Sequence, residues 1–176
     1  MSHNLNLKIL SIYKNSTVQK LIRIFGEDCV YPFPKSKAVG LSYNYADKKL
    51  NTVFEKIPFN ETQQLYITQY HFVRIIYNLV NLGIRPTIDT SIELSFEDKQ
   101  VLDRALYSLY KTKDTEMLLK LQHTLEQFEE EYGASLASIS FFYKNERISL
   151  KANGILFTDQ NSISLTDEIL NYRGLK

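Results

Sequence analysis

The chain has 176 residues, enough for one good-sized domain around a single core, and no composition break argues for two. Its 21 Lys and Arg stand against 20 Asp and Glu, and the resulting net charge of +1 disfavours nucleic acid and anionic membranes as partners. The lone Cys29 excludes an internal disulfide or a cysteine metal cage and fits a reducing, cytoplasmic setting, while no apolar run approaches the ~20 residues needed to span a bilayer and no signal peptide is evident.

In chain order, Leu7, Leu10 and Tyr13 fall at helical spacing and predict a first helix over residues 4–14. Ser16 or Thr17 then caps a second short helix carrying Val18, Leu21, Ile22 and Phe25, with Gly26 as its stop, so residues 1–28 read as N-terminal helices. Pro32 and Pro34 remove backbone donors and push their neighbours to extended conformations, which predicts an irregular ordered loop over 29–35. From Lys37 the period is two: Val39, Leu41, Tyr43 and Tyr45 share a face, the pattern of a half-buried strand. A polar turn at 46–49 and a second alternating run over 50–57 complete a hairpin. Asn60 and Gln63 have capping-box spacing, so the next helix can begin at Glu61 or nearer Thr68.

Residues 66–83 form the central element. Phe72, Ile75, Ile76, Leu79, Val80 and Leu82 leave little room for a polar face after Arg74, and Gly83 is a natural stop. Ser91 to Phe96 alternates as a short strand. From Glu97 a helical stripe of Val101, Leu102, Ala105, Leu106 and Leu109 follows, broken at 111–115. Residues 116–132 continue as a helix with Leu118, Leu121, Leu125 and Phe128 on one side, although Leu119, Leu121, His123 and Leu125 also fit a strand. After Gly133, strands at 136–142 and 147–157 are joined by a loop at 143–146, and the tail 158–176 holds few large apolar residues and is expected to be only partly ordered.

These elements predict an α+β domain with an antiparallel sheet covering one long helix. Val30-Tyr31 with the irregular segment after it, Leu41-Ser42-Tyr43-Asn44-Tyr45, Leu65-Tyr66-Ile67 leading into His71-Phe72, and Ile139-Ser140-Phe141-Phe142 carry a resemblance to the hotdog-fold FcoT-like fatty acyl-CoA thioesterases. It covers roughly residues 30–96 and 134–157. The resemblance implies a hotdog-like curved antiparallel sheet around a central apolar helix and a homodimer. It also implies a long-chain acyl thioester, on CoA or an acyl carrier protein, as the substrate. In that family tyrosine and asparagine side chains line the acyl and thioester site; Tyr31 and Tyr66 match best, and Asn81 lies within one position of the helix asparagine. The region 97–132 departs from the pattern, since a full hotdog sheet wants another strand there.

Thioester hydrolysis needs a carbonyl polariser and an oriented or activated water. Backbone N–H groups at a helix start, aided by the helix dipole, can stabilise the oxyanion, and Tyr66 and His71 stand at that position in the chain. A neutral His71 can act as general base or can simply bond a nearby carbonyl. Glu61 is the nearest upstream carboxylate, an alternative base or a first-turn acid. Asn78 and Asn81, three apart, can hold water or a thioester oxygen and can equally bond backbone. Arg74 can meet a CoA phosphate or form a salt bridge. The competing readings are a dehydratase or isomerase with His71 as base, and a non-catalytic binding or regulatory module. His3, His71 and His123 lack zinc spacing, the six glycines form no phosphate loop, and no Gly-x-Ser-x-Gly elbow occurs, so no metal or cofactor is expected.

Overall fold

The computed structural model describes residues 4–42 and 53–171, and the chain divides into two compact units: Ile67–Ala152 forms one, and the segments on either side of it form the other.

The first unit is built on β1 (Asn4–Ile12). Every side chain from Leu7 to Ile12 is buried, including Lys8 and Ser11. This strand replaces the helix expected over 4–14. A strand covered on both faces loses its polar alternation, so the three-residue spacing of Leu7, Leu10 and Tyr13 imitated a helix. One edge of β1 pairs with β3 (Ala38–Ser42), and β3 pairs in turn with β2 (Val30–Phe33). The other edge takes β8 (Ile155–Asp159) along Asn4–Lys8 and then β4 (Thr62–Gln64) along Leu10–Ile12. The expected loop at 29–35 is therefore a strand through Phe33. Pro32 is tolerated because β2 lies outermost, where a missing donor breaks no ladder.

α1 (Ser16–Phe25) forms as its stripe predicts, with Leu21 fully buried and Gly26 at φ 94 ending it. Its cap differs from expectation. Asn15 occupies the N-cap without a side-chain bond, and the Thr17 hydroxyl is used elsewhere. The expected 37–57 hairpin does not form in its described part: β3 pairs with β1 and β2, its residues 38–41 are buried on both faces, and Val53 and Phe54 are helical and lead into a turn closed by Lys56 N–H to Val53 and Ile57 N–H to Phe54. Tyr43, Tyr45 and the turn expected at 46–49 lie outside the described residues. The capping-box helix start at Glu61 is also replaced, because Thr62–Gln64 pairs with β1 as β4. The tail is ordered through a 3-10 turn (Gln160–Ser162) and α5 (Ile163–Leu170), which buries Thr166, Asp167, Ile169 and Leu170. Its order rests on polar side-chain bonds that an apolar count does not detect.

In the second unit α2 (Gln69–Asn81) begins at Thr68, whose hydroxyl accepts the His71 N–H. It packs on α3 (Phe96–Thr112), α4 (Thr115–Tyr132) and β6 (Leu136–Tyr143), burying Phe72, Val73, Ile75, Ile76, Leu79 and Val80. A polar side remains, since Tyr70 and Asn81 are exposed and His71, Arg74, Tyr77 and Asn78 are half-buried. β5 (Thr87–Thr90) precedes the position expected for a strand at 91–96. Ser95 is the reason, because its hydroxyl caps α3 by accepting the Asp98 N–H at 3.1 Å, which commits Phe96 to helix. Residues 115–132 are helical, as the better stripe predicts, and Leu121, Leu125 and Phe128 face inward. β6 meets β7 (Glu146–Lys151) through Lys144 and Asn145, at φ 49 and 68, a two-residue type I′ turn shorter than the predicted loop. The strand expected over 147–157 is two strands, broken before Gly154.

Candidate functional site

Tyr31, Glu61 and Tyr66 belong to the first unit, and His71, Arg74, Asn78 and Asn81 to the second. Tyr66 lies just beyond β4, after Leu65, and is 62% exposed. Its hydroxyl donates to Gln64 Oε1 at 3.2 Å, and the Lys8 ammonium stands 5.4 Å from the centre of its ring. Lys8 is the residue that sequence reasoning missed. It is only 4% exposed, its Nζ donates to the Asn153 carbonyl, and burial pushes its pKa below the ordinary lysine value. The available signal was a single lysine inside the run Leu5-Asn6-Leu7-Lys8-Ile9-Leu10, but that pattern also suits the polar side of a helix.

Tyr31 sits half-buried in β2 opposite Gly40. Burial raises its phenol pKa, with Cys29 and Asp28 adding to the shift, so it is a hydrogen-bond donor at neutral pH. Glu61 is buried and occupied: Lys20 Nζ lies 2.5 Å from Oε1, and the Thr17 hydroxyl donates to Oε2 at 3.1 Å. The Lys20 hydrogen bond, assisted by Thr17 and the Lys20 and Lys14 charges, outweighs burial and holds the carboxyl below the usual range. A depressed carboxylate is a poor base. It also stabilises the fold while ionised, and that contribution is lost as pH falls below about 4.5 towards the lowered native value. Lys20→Gln is therefore expected to flatten the acid limb of a Tm-against-pH profile; parallel profiles for variant and parent would refute the coupling.

On α2, His71 occupies the first turn with Nδ1 3.1 Å from the Thr68 hydroxyl and its ring edge-on to Tyr70 at 6.0 Å. Arg74 stacks over Tyr70, its guanidinium carbon 5.1 Å from the ring centre. Asn78 is half-buried, and its carbonyl accepts the Leu82 N–H. Asn81, in the last turn, is exposed, and its carbonyl takes a bond from Lys113 Nζ at 3.5 Å.

Among the described residues no three His, Cys, Asp or Glu side chains are grouped to hold a metal ion, and no helix is long and apolar enough to cross a membrane. Fold and side chains define an α+β protein in which each described strand pairing of either unit is antiparallel. No family model, curated protein or solved structure compared with the chain matches it.

Proposed function

We propose that the chain is a cytoplasmic thioesterase with a hotdog-like fold, active as a homodimer on a long-chain acyl thioester of CoA or an acyl carrier protein. The observation that carries the reading is the Lys8–Tyr66 pair: an exposed phenol beside a buried ammonium. Developing negative charge on a thioester oxygen is stabilised by donors and cations already oriented at low dielectric. Tyr66 supplies the donor at the surface once its hydroxyl turns from Gln64 Oε1, an exposed bond that exchanges readily, and Lys8 supplies a positive field beneath it. Water adds to the carbonyl carbon, the oxyanion collapses, the C–S bond breaks, and the thiolate leaves with a proton to give a free thiol and a fatty acid. Antiparallel strands and the apolar side of α2 support the hotdog-like part of the reading.

Thiol release from hexadecanoyl-CoA tests it. Tyr66→Phe and Lys8→Met are each expected to lower kcat/KM more than about tenfold, roughly 1.4 kcal/mol of transition-state stabilisation, with the far-ultraviolet dichroism retained. Unchanged turnover in both variants would remove the site assignment. A binding or regulatory module is the second reading, favoured by the engagement of Glu61 with Lys20 and Thr17. It predicts no thiol release and a ligand-dependent rise in Tm.

A further inference from the structure

β5 is an edge strand. Among the described residues its one strand partner is β6, so one row of backbone N–H and C=O groups along Thr87–Thr90 faces away from that ladder. Between Asp89 and Thr90 the pairing passes from Ser138 to Leu136, an irregularity of the kind that re-aims a strand edge. A cavity of about 430 Å³ adjoins this strand, with Lys99, Leu102 and Asp103 of α3 forming another of its walls. Pockets that hold organic ligands run from about 300 to 1,000 Å³, so the space takes one large side chain and its neighbours. An edge strand facing a helix across a groove suits β-augmentation: the guest main chain bonds the edge while alternate side chains enter the groove.

The lining says which side chains fit. Ile88, Leu94 and Leu102 supply apolar surface, and Ile92, 48% exposed, adds an apolar side chain left open to solvent. Asp89, Glu93 and Asp103 place three carboxylates against the single ammonium of Lys99. Asp89 is fixed by the Ser138 hydroxyl, which donates to it at 2.8 Å. Lys99 donates to Glu93 at 3.0 Å, but both groups are half or more exposed, and a pair of that kind exchanges partners at little cost. The groove is apolar at its floor and negative at its rim.

We propose that this groove binds an extended segment of a partner protein, added as a strand to β5, with an apolar side chain near Leu94 and Leu102 and basic side chains on either side of it. The surface lies wholly within Ile67–Ala152 and is independent of the Lys8–Tyr66 reading. The probe is a capped, fluorescein-labelled peptide, Thr-Lys-Val-Leu-Val-Lys-Thr, whose leucine and two lysines share one face of a strand. Titrated against the full chain by fluorescence anisotropy, it is expected to bind saturably. Replacing both peptide lysines by glutamate, or introducing Asp103→Lys or Glu93→Lys into the protein, is expected to weaken binding at least tenfold, and amide resonances of residues 88–90 are expected to shift. Absence of binding, equal binding of the acidic peptide, or shifts confined to other strands would overturn the proposal. So would spermine displacing the peptide while shifting the same resonances, which marks a small-cation site, or a dimer broken by Asp103→Lys, which marks a second copy of the chain as the occupant.

Discussion

Replacing Gly154 with alanine is expected to destabilise the protein by about 2–5 kcal/mol, from a left-handed backbone cost of roughly 1–2 and an overpacking cost of roughly 1–3. Gly154 sits at φ 74, and a Cβ there would lie 2.3 Å from the Leu65 carbonyl oxygen and 3.2 Å from its carbon. Neither backbone can retreat cheaply. The Ile9 N–H donates to the Gly154 carbonyl at 2.8 Å, and the Leu65 N–H donates to the Ile9 carbonyl at 3.2 Å, so the clashing atoms are tied to one residue of the central strand β1. β8 and β4 share one edge of β1, and Gly154 precedes the first as Leu65 follows the second. Gly26 provides the control, because its φ of 94 is equally unsuited to alanine but nothing lies within 4 Å of its Cβ position. Gly26→Ala should cost about 1–3 kcal/mol, the backbone contribution alone, because φ 94 with ψ 154 is a region essentially confined to glycine. Urea unfolding with an unchanged m-value gives both numbers. Equal midpoints for the two variants would show that the Leu65 contact relaxes freely.

The same junction explains which elements could be read in the sequence. α1, α3 and α4 follow from apolar stripes within their own segments, and their ends follow from Gly26, the 111–115 break and Gly133. β1 could not be read this way, because the strands paired along its two edges come from residues 38–42, 62–64 and 155–159, far from it in the chain, and its own run of buried residues carries no alternation. β2 was hidden by Pro32, which argues against a strand only when both edges are paired. The candidate site divides along the same line. Tyr66 and His71 stand out locally as polar groups beside an apolar helix. Lys8 does not, because its burial depends on the carbonyl of Asn153, 145 residues away.

Asp167 shows how the C-terminal segment is held although its residues look too polar for a core. It is buried in α5, and one carboxylate collects three donors: the Lys35 N–H at 3.0 Å, the Ser36 N–H at 3.0 Å and the Ser36 hydroxyl at 2.9 Å. Those donors belong to the turn between β2 and β3, where Lys37 has φ 51. The carboxylate therefore fixes both the helix and the turn. Asp167→Ala removes the acceptor of two backbone donors, while the Ser36 hydroxyl keeps the Phe33 carbonyl at 3.3 Å, and a donor left without a partner costs about 1–3 kcal/mol before water enters, so a net loss of about 2–4 kcal/mol is expected. Asp167→Asn keeps one accepting oxygen but turns an NH₂ towards donors on the other side. Its expected loss, about 1–2 kcal/mol, is smaller but clear of error. Glu168→Ala, at the exposed neighbouring position, should stay within about 0.5 kcal/mol of the parent. Hydrogen exchange supplies a second reading, since the Lys35 and Ser36 amides should lose protection in Asp167→Ala by more than the global change in stability accounts for. If Asp167→Ala unfolds with the parent's midpoint and those two amides keep their protection, the carboxylate is not what holds α5 to the turn, and the apolar contacts of Ile169 and Leu170 would have to do so alone.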